Sequence, residues 1–331
     1  MIVVTGGAGF IGSALIWGLN EKGIDRILIV DNVETTDKWK NLVKRKFQSL
    51  IAIEKFSKWL EDPANLKQVE CIFHMGACSS TTERDMDFLL RNNVDYTVHL
   101  FNVCKKHKIP FIYASSAATY GVGNEGFSDA HDKIDTLRPI NPYGYSKQLA
   151  DRWILEAAKE GENPFWCGLK FFNVYGPNEY HKEEMRSLVA KAYPQVQSTG
   201  VMRLFKSYKQ GIKDGDQSRD FIYIKDIVKM MLHVFEQYKY LPNASGIYNF
   251  GTGTARSFLN LGESLFHALS LPPRFEFIPM PEDIRDQYQY FTEAKMDKFT
   301  KNFKYTNTMT SLEDGVADYV RNYLSSGDPY L

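Results

Sequence analysis

Thr5-Gly6-Gly7-Ala8-Gly9-Phe10-Ile11-Gly12 is the stretch that decides the fold. It follows the apolar run Ile2-Val3-Val4, which predicts a short buried strand. It precedes a helical pattern that carries Leu15, Ile16 and Leu19 on one face and ends near Gly23. Gly6, Gly9 and Gly12 let the chain turn tightly after a strand, let a pyrophosphate approach the backbone, and let helix and strand pack closely. The phosphates would then lie on the amides of the helix N-terminus. Glycine spacing alone is a weak signal; set between a strand and a helix it reads as a dinucleotide-binding turn.

Outward from this turn the chain alternates between strand and helix patterns. Arg26–Val30 reads as the second strand and ends in Asp31-Asn32, with Asp31 nineteen residues past Gly12, where an acid reaches the adenosine ribose. Such an acid favours NAD. Asn32, Lys38 and Lys40 follow on the same loop, and a lysine there can neutralise a 2′-phosphate, so NADP stays open. Lys44-Arg45-Lys46 reads as a solvated helix face. Lys55–Leu60 is helical, and Cys71–Met75 is a buried strand leading into the small residues Gly76, Ala77, Cys78 and Ser79, which let a dinucleotide lie against the sheet edge. A helix bearing Asn92 and Asn93 comes next, then a strand over Pro110–Ala114 that runs into Ser115-Ser116.

Phe165–Phe172 is a further strand, and Asn173–Pro177 is a turn. The region 178–219 is rich in Lys and Arg, which suits a phosphorylated or nucleotide-linked substrate. Asp214–Gln217 reads as a mobile connection. Asp220–Ile224 and Gly246–Phe250 read as strands that rejoin the sheet, with a helix over Ile227–Tyr238 between them. Arg274–Ile278 is a strand of a smaller lobe. The expected fold is α/β, a Rossmann-type doubly wound parallel sheet with a smaller α/β substrate lobe. Residues 1–172 and about 218–250 form the first lobe; residues about 173–217 and 251–331 form the second.

The chemistry centres on Asn141-Pro142-Tyr143-Gly144-Tyr145-Ser146-Lys147. On a helix, Tyr143 and Lys147 lie one turn apart on the same face. A phenol titrates near pH ~10, and a neighbouring ammonium favours the phenolate, so the pair is expected to form a proton-transfer unit for an alcohol. Ser116, just past a strand end, is placed to hydrogen-bond a substrate hydroxyl.

Composition bounds the rest. The 331 residues are 44% hydrophobic, enough for a large core, and carry 40 Lys plus Arg against 40 Asp plus Glu. That balance offers no general attraction to nucleic acid or membranes. Cys71, Cys78, Cys104 and Cys167 lack paired spacing and are expected as reduced thiols of a cytoplasmic protein. Met1–Thr5 reads as a strand, not a signal peptide, and neither a membrane span nor a metal-ligand cluster is expected.

Together, Thr5–Gly12, Ser116 and Tyr143-x-x-x-Lys147 resemble the signature of the extended short-chain dehydrogenase/reductases, in their NAD-dependent epimerase/dehydratase branch. The stretches Phe73–Glu83, Ala114–Gly121 and Phe172–Pro177, with His181-Lys182, extend the resemblance along essentially the whole chain. It implies a seven-stranded parallel sheet, bound NADP with NAD as the alternative, and a homo-oligomer described as a pentamer. The implied substrate is an ADP-linked heptose, inverted at C6 for the lipopolysaccharide inner core. It further implies that Phe10, Ile11, Asp31, Asn32 and Lys38 hold the nucleotide end of the cofactor. Met75 to Ser79, Asn92, Tyr143, Lys147, Val174 and Lys182 would line the rest. Ser116, Asn173, Glu184, Lys191, Phe205, Arg219 and Tyr288 fall on substrate positions, and Tyr143, Lys147, Ser116 and Lys182 on catalytic ones.

The chain departs from that pattern at Ile53, where a lysine is expected, and at Glu183-Glu184, where a small residue is expected. Lys191 replaces a substrate-contacting histidine, and an insertion lengthens Tyr208–Ser218. A 4,6-dehydratase would need an Asp-Glu pair where Ala117-Ala118 stand. A UDP-hexose 4-epimerase and a non-catalytic dinucleotide sensor remain as alternatives, the second disfavoured by the intact Ser116, Tyr143 and Lys147.

Overall fold

The computed structural model describes residues 1–285 and 288–331. Seven strands form one sheet: β1 (Ile2–Thr5), β2 (Ile27–Val30), β3 (Ser49–Ile51), β4 (Cys71–His74), β5 (Phe111–Ser116), β6 (Trp166–Phe171) and β7 (Gly246–Phe250). Their order is β7-β6-β5-β4-β1-β2-β3, and every pairing is parallel. A parallel sheet with helices on both faces buries its strands from both sides, which is why β1, β2 and β4 are runs of apolar residues with hardly a polar break. The order reverses between β1 and β4. There the carboxyl ends diverge and open a crevice.

Four helices matter for the site or its frame: α1 (Phe10–Glu21), α2 (Tyr96–His107), α3 (Pro142–Ala157) and α4 (Ile224–Gln237). Helices α1 and α4 pack so closely that a Cβ at Gly18 would overlap the Val228 side chain. Three two-stranded sheets complete the strand content of the described residues: Asn173–Tyr175 with Phe221–Tyr223, Met202–Phe205 with Phe275–Ile278, and Ser218–Arg219 with Arg256–Ser257.

Several expectations need correction. Asp220–Ile224 does not rejoin the central sheet, because β7 already pairs with the outer edge of β6; Phe221–Tyr223 instead pairs with Asn173–Tyr175, the segment expected as a turn. Strand β3 gives no apolar pattern in the sequence because it is a three-residue edge strand with partly exposed side chains. The basic run is no free helix face. Lys44 pairs with Asp328 at 2.7 Å and Arg45 reaches the Leu331 backbone oxygen at 2.6 Å, so two of its members tie down the last residues. Asp214–Gln217 is held, since Asp214 accepts the Ser207 amide at 2.7 Å and Gln217 is buried.

Under the carboxyl end of β5 lies a fully buried ion pair. Lys170 of β6 donates to Asp151 of α3 at 2.6 Å and to Thr119 Oγ1 at 2.7 Å. Asp151 also accepts from Tyr113 OH at 2.9 Å and Ser115 Oγ at 2.8 Å. Removing one charge of such a pair leaves the other buried without compensation. Lys170→Met is therefore expected to cost about 3–5 kcal/mol of unfolding free energy in urea titrations. Adding Asp151→Asn should recover part of that loss, since no charge is then stranded. A loss below about 1 kcal/mol for the single change would show that the pair does not hold this layer together.

Candidate active site

The crevice at the β1–β4 reversal opens into a cleft of ≈ 1350 Å³, larger than most small-molecule sites and roomy enough for a dinucleotide and a second ligand together. Apart from Lys40, all residues singled out from the sequence for cofactor, substrate or catalysis line this one cleft. At its inner wall Gly6 has φ +65°, and a Cβ there would sit 2.5 Å from Gly76 Cα. A Cβ on Gly12 would overlap the Gly6 carbonyl oxygen. Helix α1 begins at Phe10 with Gly9 as its N-cap and no side-chain cap, so the first-turn amides are left for an anion. These features fit a bound pyrophosphate.

At one end of the cleft, Asp31 Oδ2 accepts the Ala8 amide at 2.9 Å and Oδ1 meets Lys38 Nζ at 3.2 Å. Asn32 Oδ1 accepts the Ile53 amide at 2.9 Å, and its Nδ2 donates to Glu54 Oε1 at 2.8 Å. Sequence reasoning did not single out Glu34 or Glu54, although both line this end.

Further in, a turn of π-helix over Leu90–Asp95 joins Met86–Leu89 to α2. It turns Asn93 inward, where Oδ1 accepts the Cys78 amide at 2.9 Å and Nδ2 donates to the Cys78 carbonyl at 3.0 Å and to Ser146 Oγ at 3.1 Å. Asn93 thus fixes the loop after β4 against α3, while Asn92 lines the cleft and donates to Asn93 Oδ1 at 3.0 Å. A π-turn has no sequence signature, so Asn93 could be noticed only as the neighbour of Asn92.

Helix α3 starts under an Asn141 cap, whose Oδ1 accepts the Gly144 amide at 2.7 Å, and Pro142 occupies its first turn. That start places Tyr143 and Lys147 in the cleft beside Ser116, whose Oγ accepts the Ala118 amide at 3.1 Å and keeps its own proton to donate. Lys147 Nζ donates to the Ala114 carbonyl at 2.9 Å.

The expected lowering of Tyr143 by Lys147 is not seen. Burial pushes the phenol above its usual range, with the Ser116 hydroxyl opposing and Cys78 adding to the rise. Burial also drives Lys147 down to about 8, against the pull of Asp151 and Cys78. The low-dielectric wall that would strengthen a Tyr–Lys coupling penalises each charge first.

Across the cleft, Lys182 rides on the loop that follows Asn173–Tyr175. Burial lowers its ammonium, Glu179 opposes, and it lies 5.5 Å over the Phe10 ring. Buried Glu179 anchors this loop: Oε1 accepts Ser187 Oγ at 2.6 Å and the Gly176 amide at 3.3 Å, and Oε2 accepts the Ser187 amide. His181 is driven down to about 4 by burial, then by Lys38 and Lys182, so it is neutral at ordinary pH. Its Nδ1 lies 3.3 Å from Asn41 Nδ2. Glu183 holds φ +47°, a conformation that a non-glycine residue adopts only under constraint.

Deeper in the second half of the chain, Arg219 is buried between the rings of Tyr288 at 5.1 Å and Phe258 at 5.6 Å. No ion pair with a carboxylate engages it among the described residues; its recorded hydrogen bond is to the Ser218 carbonyl at 3.0 Å. Asn173, Glu184, Lys191 and Phe205 line the same region, with Lys191 Nζ held by the Glu184 carbonyl at 3.1 Å. All four cysteines are unpaired, and no group of metal-binding side chains occurs among the described residues. No helix among them is long and apolar enough to cross a membrane.

Comparison with known proteins places this geometry. The model of the NAD dependent epimerase/dehydratase family matches residues 2–251. A protein of Fusobacterium nucleatum subsp. nucleatum named ADP-L-glycero-D-manno-heptose-6-epimerase is 49% identical over all of both chains. The crystal structure of Helicobacter pylori ADP-L-glycero-D-manno-heptose-6-epimerase superposes with a TM-score of 0.76 at 26% identity, covering 97% of this chain and 95% of that one. MoeE5, solved with UDP-glucuronic acid and NAD, superposes with a TM-score of 0.75 at 25% identity, covering 96% of each chain.

The depressed Lys147 has a consequence for stability. Between pH 8 and 10.5 the unfolded chain holds a proton that the folded chain has released, so stability rises with pH across that window. In urea titrations wild type should gain up to about 3 kcal/mol over Lys147→Met between those two pH values. A flat difference would show that Lys147 is not desolvated as the structure places it.

Proposed function

Since the chain belongs to the NAD dependent epimerase/dehydratase family, we propose that it is an isomerase that inverts C6 of the heptose in ADP-D-glycero-D-manno-heptose. The product, ADP-L-glycero-D-manno-heptose, serves lipopolysaccharide inner-core assembly. Identity of 49% over the full length to a protein with this name supports the substrate; a homo-oligomer working in the cytoplasm is part of the same proposal. The observation that carries the mechanism is that two acid–base groups from separate parts of the chain, Tyr143 and Lys182, line one cleft.

The glycine turn, the uncapped α1 N-terminus and the Met75–Ser79 loop would hold a nicotinamide dinucleotide, with Lys147 at its ribose. When bound, that cofactor supplies a hydride acceptor and donor at C6, and a positive charge beside Tyr143. Tyr143 would take the hydroxyl proton from one epimer as C6 is oxidised to a ketone. Ser116 would hold the oxygen by donating its free proton. Once the sugar has turned its other face, Lys182 would return the proton from the opposite side. Inversion needs proton transfer on both faces of C6, and one fixed phenol reaches one of them. Burial, by lowering the Lys182 ammonium, makes it readier to give up a proton. Arg219, buried without a carboxylate partner among the described residues, would meet the diphosphate of the substrate.

Tyr143→Phe and Lys182→Met, each assayed from both epimers, should lose about 10²–10⁴-fold in interconversion rate. Lys182→Met turning over both epimers at the wild-type rate would overturn the two-base scheme. Turnover of a UDP-hexose at C4, with none of the ADP-heptose, would overturn the substrate.

A further inference from the structure

Resting on the two-base reading of the cleft, we propose that Asn178 is a positioning residue that sets Lys182 against the first turn of helix α1. Lys182 rides on a short 3₁₀ turn, Tyr180–Met185, whose regular geometry is broken at Glu183. Such a turn is too short and too weakly bonded to place a side chain across a cleft by itself. Contacts from outside the loop must do so.

Asn178 supplies them. It is fully buried, and three separate segments bond to it. Its Nδ2 donates to Ser13 Oγ of α1 at 3.0 Å, its Oδ1 accepts the Leu331 amide at 3.0 Å, and its carbonyl accepts Asn41 Nδ2 at 3.2 Å. Asn41 Nδ2 also donates to the Ala8 carbonyl at 2.9 Å, inside the glycine turn. Just ahead of Lys182, then, the loop is bonded directly to α1 and through one side chain to the glycine turn. Lys182 comes to rest over Phe10, the first residue of that same helix. The backbone agrees with the side chain: Asn178 holds φ +77°, a left-handed conformation that asparagine adopts more readily than most residues. The neighbouring Glu179 carboxylate has another task. Among the described residues it accepts hydrogen bonds from Gly176 and Ser187, so it closes the loop on itself, whereas Asn178 ties the loop to α1.

Asn178→Gly is the variant of choice, because glycine keeps the positive φ and removes only the side chain. In the full-length protein, kcat for C6 interconversion should fall about tenfold or more from either epimer, with KM for the ADP-heptose within about twofold of wild type. NADH binding, read by energy transfer from tryptophan, should also stay within about twofold, since the phosphate-binding turn is intact. Ser13→Ala, which removes the partner hydroxyl on α1, should lose less in the same direction, and it carries the comparison if Asn178→Gly does not fold. Each change is then repeated in Tyr143→Phe and in Lys182→Met. The loss should persist beside Tyr143→Phe and shrink to within about twofold beside Lys182→Met, where nothing remains to be positioned. An equal loss in the Lys182→Met background would give Asn178 a general structural role and overturn the inference, as would wild-type rates for both Asn178→Gly and Ser13→Ala. Lys182→Met turning over both epimers at the wild-type rate would overturn the two-base reading itself, and this inference with it.

Discussion

The constraint on which the cleft depends is backbone against backbone at the carboxyl end of β1. Gly6 and Gly76 approach until no Cβ fits between them, and Gly12 folds back onto the Gly6 carbonyl. Because β1 and β4 are neighbours, that approach brings the loop after β4 to the start of α1 and shapes the inner wall of the cleft. Everything that faces the wall is then indexed to it. Asp31 receives the Ala8 amide from the same turn, and the Met75–Ser79 loop is held on its other side by Asn93. A side chain at any of the three glycines would separate these elements by a methyl group and misplace the site as a whole.

From this wall outward the geometry passes to α3 through polar contacts that are themselves buried. Asn93 reaches Ser146, one residue before Lys147, and Asp151 lies one helical turn after Lys147 and gathers Tyr113, Ser115 and Lys170. Tyr143 and Lys147 on α3 are therefore fixed from both directions along the helix. The strand end that carries Ser116 is fixed by the same carboxylate, through Ser115. A buried ion pair adds little net stability compared with apolar packing, but it permits one arrangement of donors and acceptors. Its value here is register between β5, β6 and α3.

The glycine turn, the first buried strands and the Tyr143–Lys147 helix were legible because each obeys a short-range rule. Tight turns need glycine, doubly covered strands are continuously apolar, and one helical turn separates i from i+4. Less local features were not. Whether Phe221–Tyr223 joins the central sheet depends on which strand already occupies the edge of β6, and nothing within the segment records that. Lys44 and Arg45 look like a solvated patch until the residues near 330, almost three hundred positions away, fold onto them. The cleft-lining positions were anticipated, since they follow the motifs, while Glu54 escaped notice because an isolated glutamate carries no signal until Asn32 is seen to bind it.

The sign of the Tyr143 shift shows why proximity in sequence does not translate directly into reactivity. Placing a lysine one turn away suggests a phenolate, yet the burial that brings the two together removes the water on which both charges rely. Burial wins: Tyr143 keeps its proton more firmly, and Lys147 gives its own up more readily. Lys182, on the opposite loop, is shifted toward neutrality by burial alone. The two faces of the cleft thus carry opposite shifts, upward on the phenol of α3 and downward on the ammonium across from it.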